Sequence, residues 1–208
     1  TFNPLEKKFL AINFPDAPDY KTRDILYVKG LTNSADTLHV FINHWPSRWG
    51  GQLESEPRRM FVASVLRESV DSLFKISAKT NIVIMGDLND EPHNKSIVET
   101  LNASSKIESV YDDELYNLSG YIQENNNAAS HKYQGVWGML DQCIVSGYLL
   151  NSNNSVKTST EDIHVFKNDF LLEKDDSHYG YKPKRTYIGF KYNDGYSDHL
   201  PIFLDLFY

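Results

Sequence analysis

The stretch Asn81-Ile82-Val83-Ile84-Met85-Gly86-Asp87 constrains this chain more than any other. It is apolar at consecutive positions rather than alternate ones, which suits a β-strand covered on both faces. A strand buried twice over belongs to a layered domain, with helices packed on a sheet. Its last residue is a carboxylate, and Asp87-Leu88-Asn89-Asp90 begins where a loop should open.

The flanking segments agree with that architecture. Ile25-Leu26-Tyr27-Val28 and Thr37 through His44 read as a hairpin around the polar turn 32–36. Leu38, Val40 and Ile42 fall on one face, and the same alternation puts His44 at the end of that face. A helix is predicted with Ser55 as N-cap, Pro57 in its first turn, and Val62, Leu66, Val70 and Leu73-Phe74 on the buried side, ending near Ser77. Pro92 and Asn94 announce a second helix through about Leu101, and Met139 to Ser146 is a further strand with Asp141 near its start. Residues 1–24 read as irregular, 164–196 are aromatic without a clear period, and Ile202, Leu204 and Leu206 alternate near the end. The whole is expected to be one mixed α/β domain spanning residues 1–208.

Composition excludes several classes. Twenty-one Lys and Arg against twenty-eight Asp and Glu leave a net charge of −7, which argues against a broad electropositive nucleic-acid surface. The single Cys143 rules out an intrachain disulfide framework and a cysteine-rich zinc site. No apolar run approaches the roughly 20 residues that span a bilayer, so no integral membrane segment is expected.

Four polar clusters lie at strand ends: Asn43-His44, Asp87 with Asn89, Asp141, and Asp198-His199. Singly, each reads as a turn or cap. Together they supply two imidazoles, several carboxylates and an amide from four distant segments, the inventory of an active site at a sheet edge. Such a set suits hydrolysis of a phosphate ester. Carboxylates hold a divalent cation that offsets the phosphate charge, and an imidazole with an Asp behind it exchanges protons near neutral pH. Trp45, Trp49 and Trp137 are candidates for lining a substrate groove, although aromatics beside Gly and Pro in loops are more often packing anchors, and His131, His164 and His178 lie in segments without a motif.

The stretches Asn43-His44-Trp45-Pro46-Ser47-Arg48, Ile84 through Pro92, Leu140-Asp141-Gln142 and Tyr196 through Pro201 resemble motifs of the endonuclease/exonuclease/phosphatase superfamily, the deoxyribonuclease-I-like fold. That resemblance implies a four-layer α/β/β/α sandwich and a Mg²⁺-dependent phosphodiesterase or phosphatase, with Mn²⁺ as a substitute ion. Its substrate would be a nucleic acid, a phospholipid head group or a small phosphate ester. By the same resemblance His44 contacts the scissile phosphate, Asp87 orients the attacking water, Asn89 binds phosphate, Asp141 orients His199 as the second catalytic histidine, and Asp198 is a metal-side carboxylate. Arg23 matches a basic residue that the family places near the substrate, with a surface ion pair to Asp19 or Asp24 as an equal alternative, and Asn43, Trp45 and Arg48 are further candidates for substrate contact.

The family's opening motifs, an Asn closing the first strand and a metal-binding Glu, have no counterpart in this chain. The expectation is therefore the C-terminal two-thirds of a domain, with one sheet short of its N-terminal strands, weak metal binding, and self-association through exposed sheet edges. A bacterial, exported protein fits the flavour of the motifs. The competing expectation is a non-catalytic binding module on the same scaffold, with an incomplete metal site.

Overall fold

A computed structural model describes residues 2–208. In chain order the elements are β1 (Asn3–Leu10), β2 (Ile25–Leu31), β3 (Thr37–His44), α1 (Gln52–Ile76) and β4 (Asn81–Asp87). A π-helical turn over Ser96–Leu101 is followed by β5 (Ala103–Ser104), β6 (Leu115–Asn117), α2 (Leu118–Asn126), β7 (His131–Tyr133), β8 (Val136–Gly138) and β9 (Asp141–Ser146). Then come β10 (Ile163–Val165), β11 (Leu172–Lys174), β12 (Tyr181–Pro183), β13 (Tyr187–Ile188), β14 (Lys191–Tyr192) and β15 (Ile202–Leu204).

Seven strands form the main sheet in the order β1-β2-β3-β4-β9-β6-β5. β2 and β3 make the expected antiparallel pair, while β3 and β4 run parallel, and α1 is the crossover that a parallel pair requires. Val62, Ala63, Leu66 and Val70 of α1 are buried with Tyr27, Phe41, Ile82 and Ile84 on one face of the sheet. The other face, with Leu38, Val83, Cys143 and Val145, is covered by α2 and by the two-stranded β10–β15 sheet. The apolar run of β4 is thus buried on both faces, as its pattern requires. Among the described residues the second sheet comprises these two strands, and toward β1 the face lies open, with Phe9 and Ile42 exposed.

Three local expectations are corrected. β1 is a strand within the segment read as irregular, because an edge strand carrying Glu6, Lys7 and Lys8 shows no core alternation. Helix α1 starts at Gln52, earlier than Ser55, whose hydroxyl turns back onto the Gly51 carbonyl at 2.6 Å instead of capping. The predicted second helix is only the π-helical turn, closed by Asn102 in the left-handed region at φ 55°.

Candidate active site

Strand register builds the site. In the β3–β4–β9 ladder His44 stands opposite Asp87, and Asp87 opposite Asp141. These three residues form one row across three strands, directly beyond the apolar row Ile42–Met85–Cys143. Side chains two residues apart share a face, so His44, Asp87 and Asp141 all emerge on the side away from α1. Gly86 makes the close approach of β3 and β4 feasible. Its φ is 129°, and a Cβ there would clash with the Asn43 carbonyl oxygen.

The remaining groups arrive from loops. Asn89 sits in the left-handed region at φ 52°, which Asn tolerates better than most residues. Its backbone N–H and side-chain amide donate to the two oxygens of Asp87 at 2.8 and 3.1 Å, and the amide also donates to the Trp45 carbonyl at 3.0 Å. His199 is brought in by the tail, where Leu200 N–H donates to Ser130 O at 2.6 Å and the backbone of His199 bridges to His131. Its Nδ1 lies 2.6 Å from Asp141 Oδ2, and His44 Nε2 lies 3.6 Å from Asp87 Oδ2.

Electrostatics separates the roles. Burial pushes the Asp87 carboxyl above the ordinary range; the nearby Asp141 charge adds to this, and His199 opposes it. Burial works against a charged His199, yet the hydrogen bond and charge of Asp141, with Asp87 and Asp198 behind it, raise it overall. His131, whose ring centroid is 4.4 Å from that of His199, is held neutral down to about 4, first by burial and then by the His199 charge. The site thus pairs one imidazole that favours its proton with one that refuses it.

Ligand atoms of Asp87, Asp141 and His199 lie within 4.8 Å of one another, and so do those of His131, Asp198 and His199. Two neighbouring carboxylates, one of them pushed up by burial and by the other's charge, leave a local surplus of negative charge that suits a hard divalent cation. Asp198, on the far side of His199, is half exposed and paired with Arg185 at 3.2 Å.

Of the expected substrate contacts, Trp45 and Asn43 are placed in the core instead. Trp45 is in the core, 1% exposed, with its indole N–H donating to Asn43 Oδ1 at 3.0 Å, so its ring is not offered for stacking. Asn43 is buried by that bond and by its own amide donating to Phe41 O at 3.1 Å. Arg48 is spent on the loop, donating to the Asn89 carbonyl at 2.8 Å and to Asn94 Oδ1 at 3.1 Å, although it also lines the cleft. Arg23 is exposed just ahead of β2, at the same end of the sheet as His44. A cleft of about 900 Å³ opens beside the row, lined by Trp49, Asn89, His131, Trp137 and Arg185 among others. His131 and Arg185 escaped sequence reading, because neither sits in a local motif. Only the bridge to His199 and the pair with Asp198 reveal them.

Fold and site together define the deoxyribonuclease-I-like class of mixed α/β proteins. The family model described as endonuclease/exonuclease/phosphatase family matches residues 1–207, and the chain belongs to that family. Among solved structures, humanized D. rerio TDP2 superposes with a TM-score of 0.58 at 13% identity, covering 99% of this chain and 67% of that one. An endonuclease/exonuclease/phosphatase family protein from Bacteroides thetaiotaomicron gives 0.55 at 14%, covering 99% and 65%. The human Nocturnin catalytic domain with bound sulfate gives 0.50 at 14%, covering 76% and 50%. The chain therefore spans between half and about two thirds of the length of these structures. No curated protein sequence matches it.

Proposed function

We propose that the chain is a metal-assisted phosphoester hydrolase, with the row His44–Asp87–Asp141 and the overlying His199 as its reacting centre. The observation that carries this reading is the convergence itself: four side chains from β3, β4, β9 and the tail share one face, and His199 is fixed on Asp141 at 2.6 Å. Phosphodiesters suit it better than neutral esters, since a raised His199 and Arg185 at the cleft offer positive charge to an anionic group.

In this reading Asp87, its carboxyl raised by burial and gripped by Asn89, orients the attacking water and accepts its proton. His199 presents a proton or a hydrogen bond to a phosphoryl oxygen, held in one tautomer by Asp141. His44 faces the same phosphate from the other end of the row. Mg²⁺ or Mn²⁺ would be held by Asp87 and Asp141 with His199, or by Asp198 with His131 and His199, and would supply charge that offsets the phosphate oxygens.

Hydrolysis of bis-p-nitrophenyl phosphate with Mg²⁺ and with Mn²⁺ tests the proposal. The wild-type chain should turn over, and His199→Ala should lose at least about 10²-fold in kcat. Equal rates in the two proteins would overturn the assignment and leave a binding module on the same scaffold.

A further inference from the structure

The segment 166–196 holds eight aromatic residues, and all eight are exposed. Two short hairpins display them most strongly. Tyr179, in the connection between β11 and β12, and Phe190, in the two-residue tip between β13 and β14, are fully exposed at 101% and 108%. Gly189, ahead of Phe190, takes the positive φ of 60° that tight hairpin loops need. Tyr179 is not left out by slack backbone. The Tyr179 carbonyl accepts from Lys132 Nζ at 2.8 Å, and Lys132 and Asp175 form an almost fully buried pair at 3.0 Å. The ring is therefore held outward by an anchored loop.

The same segment is fastened to the site. Arg185 pairs with Asp198 and lines the cleft, and Lys167 lies 4.8 Å over the Trp137 ring at the cleft wall. Around the cleft mouth Trp49, Tyr133 and Val136 are also exposed, Trp49 at 88%. Six basic and five acidic residues make the segment close to neutral, within a chain of net charge −7. Exposed apolar patches of this kind mark contact surfaces. A strand of nucleic acid would want a basic groove beside its stacking rings, and this rim has almost no net charge. Aromatic rings on rigid projections, rich in tyrosine with its apolar body and polar tip, suit the headgroup level of a bilayer. No helix among the described residues is long and apolar enough to cross a membrane, so such contact would be peripheral.

We infer that the aromatic rim of segment 166–196, with Trp49, seats the protein on a zwitterionic phospholipid surface and brings the cleft to a lipid phosphodiester. This rests on the phosphoester-hydrolase reading of the same site and narrows its substrate class. The surface would be met through tip insertion, with little help from charge.

The test uses the full chain with phosphatidylcholine vesicles, with and without 30% phosphatidylserine. The wild type should sediment with neutral vesicles and shift its tryptophan emission to the blue as Trp49 enters the interface. Adding phosphatidylserine or salt should change binding less than twofold. Tyr179→Ser and Phe190→Ser, both at fully exposed positions, should each weaken vesicle binding about tenfold, while hydrolysis of soluble bis-p-nitrophenyl phosphate stays at the wild-type rate. Vesicle binding by the double variant equal to wild type would overturn the inference. So would binding only to anionic vesicles, a concentration-dependent dimer lost in the variants, or single-stranded DNA binding lost in the variants. Absence of soluble-substrate hydrolysis in the wild type would instead strike the hydrolase reading, and the two failures are read in separate assays.

Discussion

Replacing Asp90 with Ala should unfold much of this protein's margin of stability. Asp90 and Arg59 are buried to 1% and 0% exposure, with Arg59 Nε 2.8 Å from Asp90 Oδ2. The approach is ionic rather than a well-aligned hydrogen bond, since Arg59 Nε has no properly directed acceptor. The other guanidinium nitrogens donate to Ser55 Oγ at 2.8 Å and to Gln52 O at 3.0 Å. Asp90 also accepts from Ser96 Oγ at 2.6 Å. The pair therefore ties the first turns of α1 to the loop that carries Asn89. Truncating Asp90 strands a cation in the core, and breaking a buried pair in this way costs about 3–5 kcal/mol. Against a usual stability of about 5–15 kcal/mol, that is roughly a fifth or more. Urea unfolding should show the loss as a lower midpoint at unchanged slope. The double variant Arg59→Met with Asp90→Leu removes both charges and should recover to within about 1 kcal/mol of wild type. A loss below about 1 kcal/mol in Asp90→Ala, or a double variant as unstable as the single one, would refute the reasoning.

Three further outcomes follow from the site. Gly86→Ala should cost about 2 kcal/mol or more in urea unfolding and lower kcat as well, because the new Cβ meets the Asn43 carbonyl and φ is 129°. Asp141→Asn should lower kcat on bis-p-nitrophenyl phosphate by at least about 10²-fold and move the limb of the pH–rate profile that reports His199 to lower pH. Burial then acts on that imidazole with less opposing charge. Acid stability should be governed in part by His39, buried with Nδ1 2.7 Å from the Tyr27 hydroxyl and held neutral down to about 4 by burial and then by Lys29. The unfolded chain takes up that proton near 6.5 and the folded one near 4. Stability should therefore fall by up to about 3 kcal/mol as pH drops through this window, and His39→Gln should flatten the fall in urea midpoints.

The elements that carry the reactive row were legible because each is a short, strongly patterned strand: β3 by alternation, β4 by its unbroken apolar run, β9 by the stretch after Asp141. What was not legible is the row itself. Register between β3, β4 and β9 depends on a parallel crossover and an antiparallel return separated by more than 50 residues. No local rule fixes that pairing. Trp45 offers two readings in the sequence, a groove-lining ring or a packing anchor beside Pro46, and local pattern does not choose; its indole N–H finds Asn43 Oδ1 and the ring joins the core. β1 was masked by its edge position, where charges on both faces discourage further pairing and erase the alternation. His131 carries no motif at all, and its place beside His199 comes only from the backbone bridge between them.

If the proposed hydrolase reading holds, with a cation on the Asp198 side of His199, Arg185 would decide how the cleft divides its charge between that cation and a phosphate. Its guanidinium lies 3.2 Å from Asp198 Oδ2, and both side chains are about half exposed, at 48% each. An exposed pair of this kind holds with at most about 1 kcal/mol, so a competing ligand on either side can open it. A divalent cation arriving near Asp198 must displace the guanidinium, whereas an anionic substrate reaching Arg185 must draw it from the carboxylate. Each ligand thus frees the partner that the other needs, and the two should bind with positive coupling. Arg185→Ala removes both the competitor and the phosphate contact. Metal affinity measured by Mn²⁺ titration should rise by at most about fivefold, the limit set by so weak a pair, while KM for bis-p-nitrophenyl phosphate rises and kcat at saturating metal changes less. Weaker Mn²⁺ binding in the variant would mean that Arg185 holds Asp198 in place for the ion rather than blocking it, and the competition argument would fail.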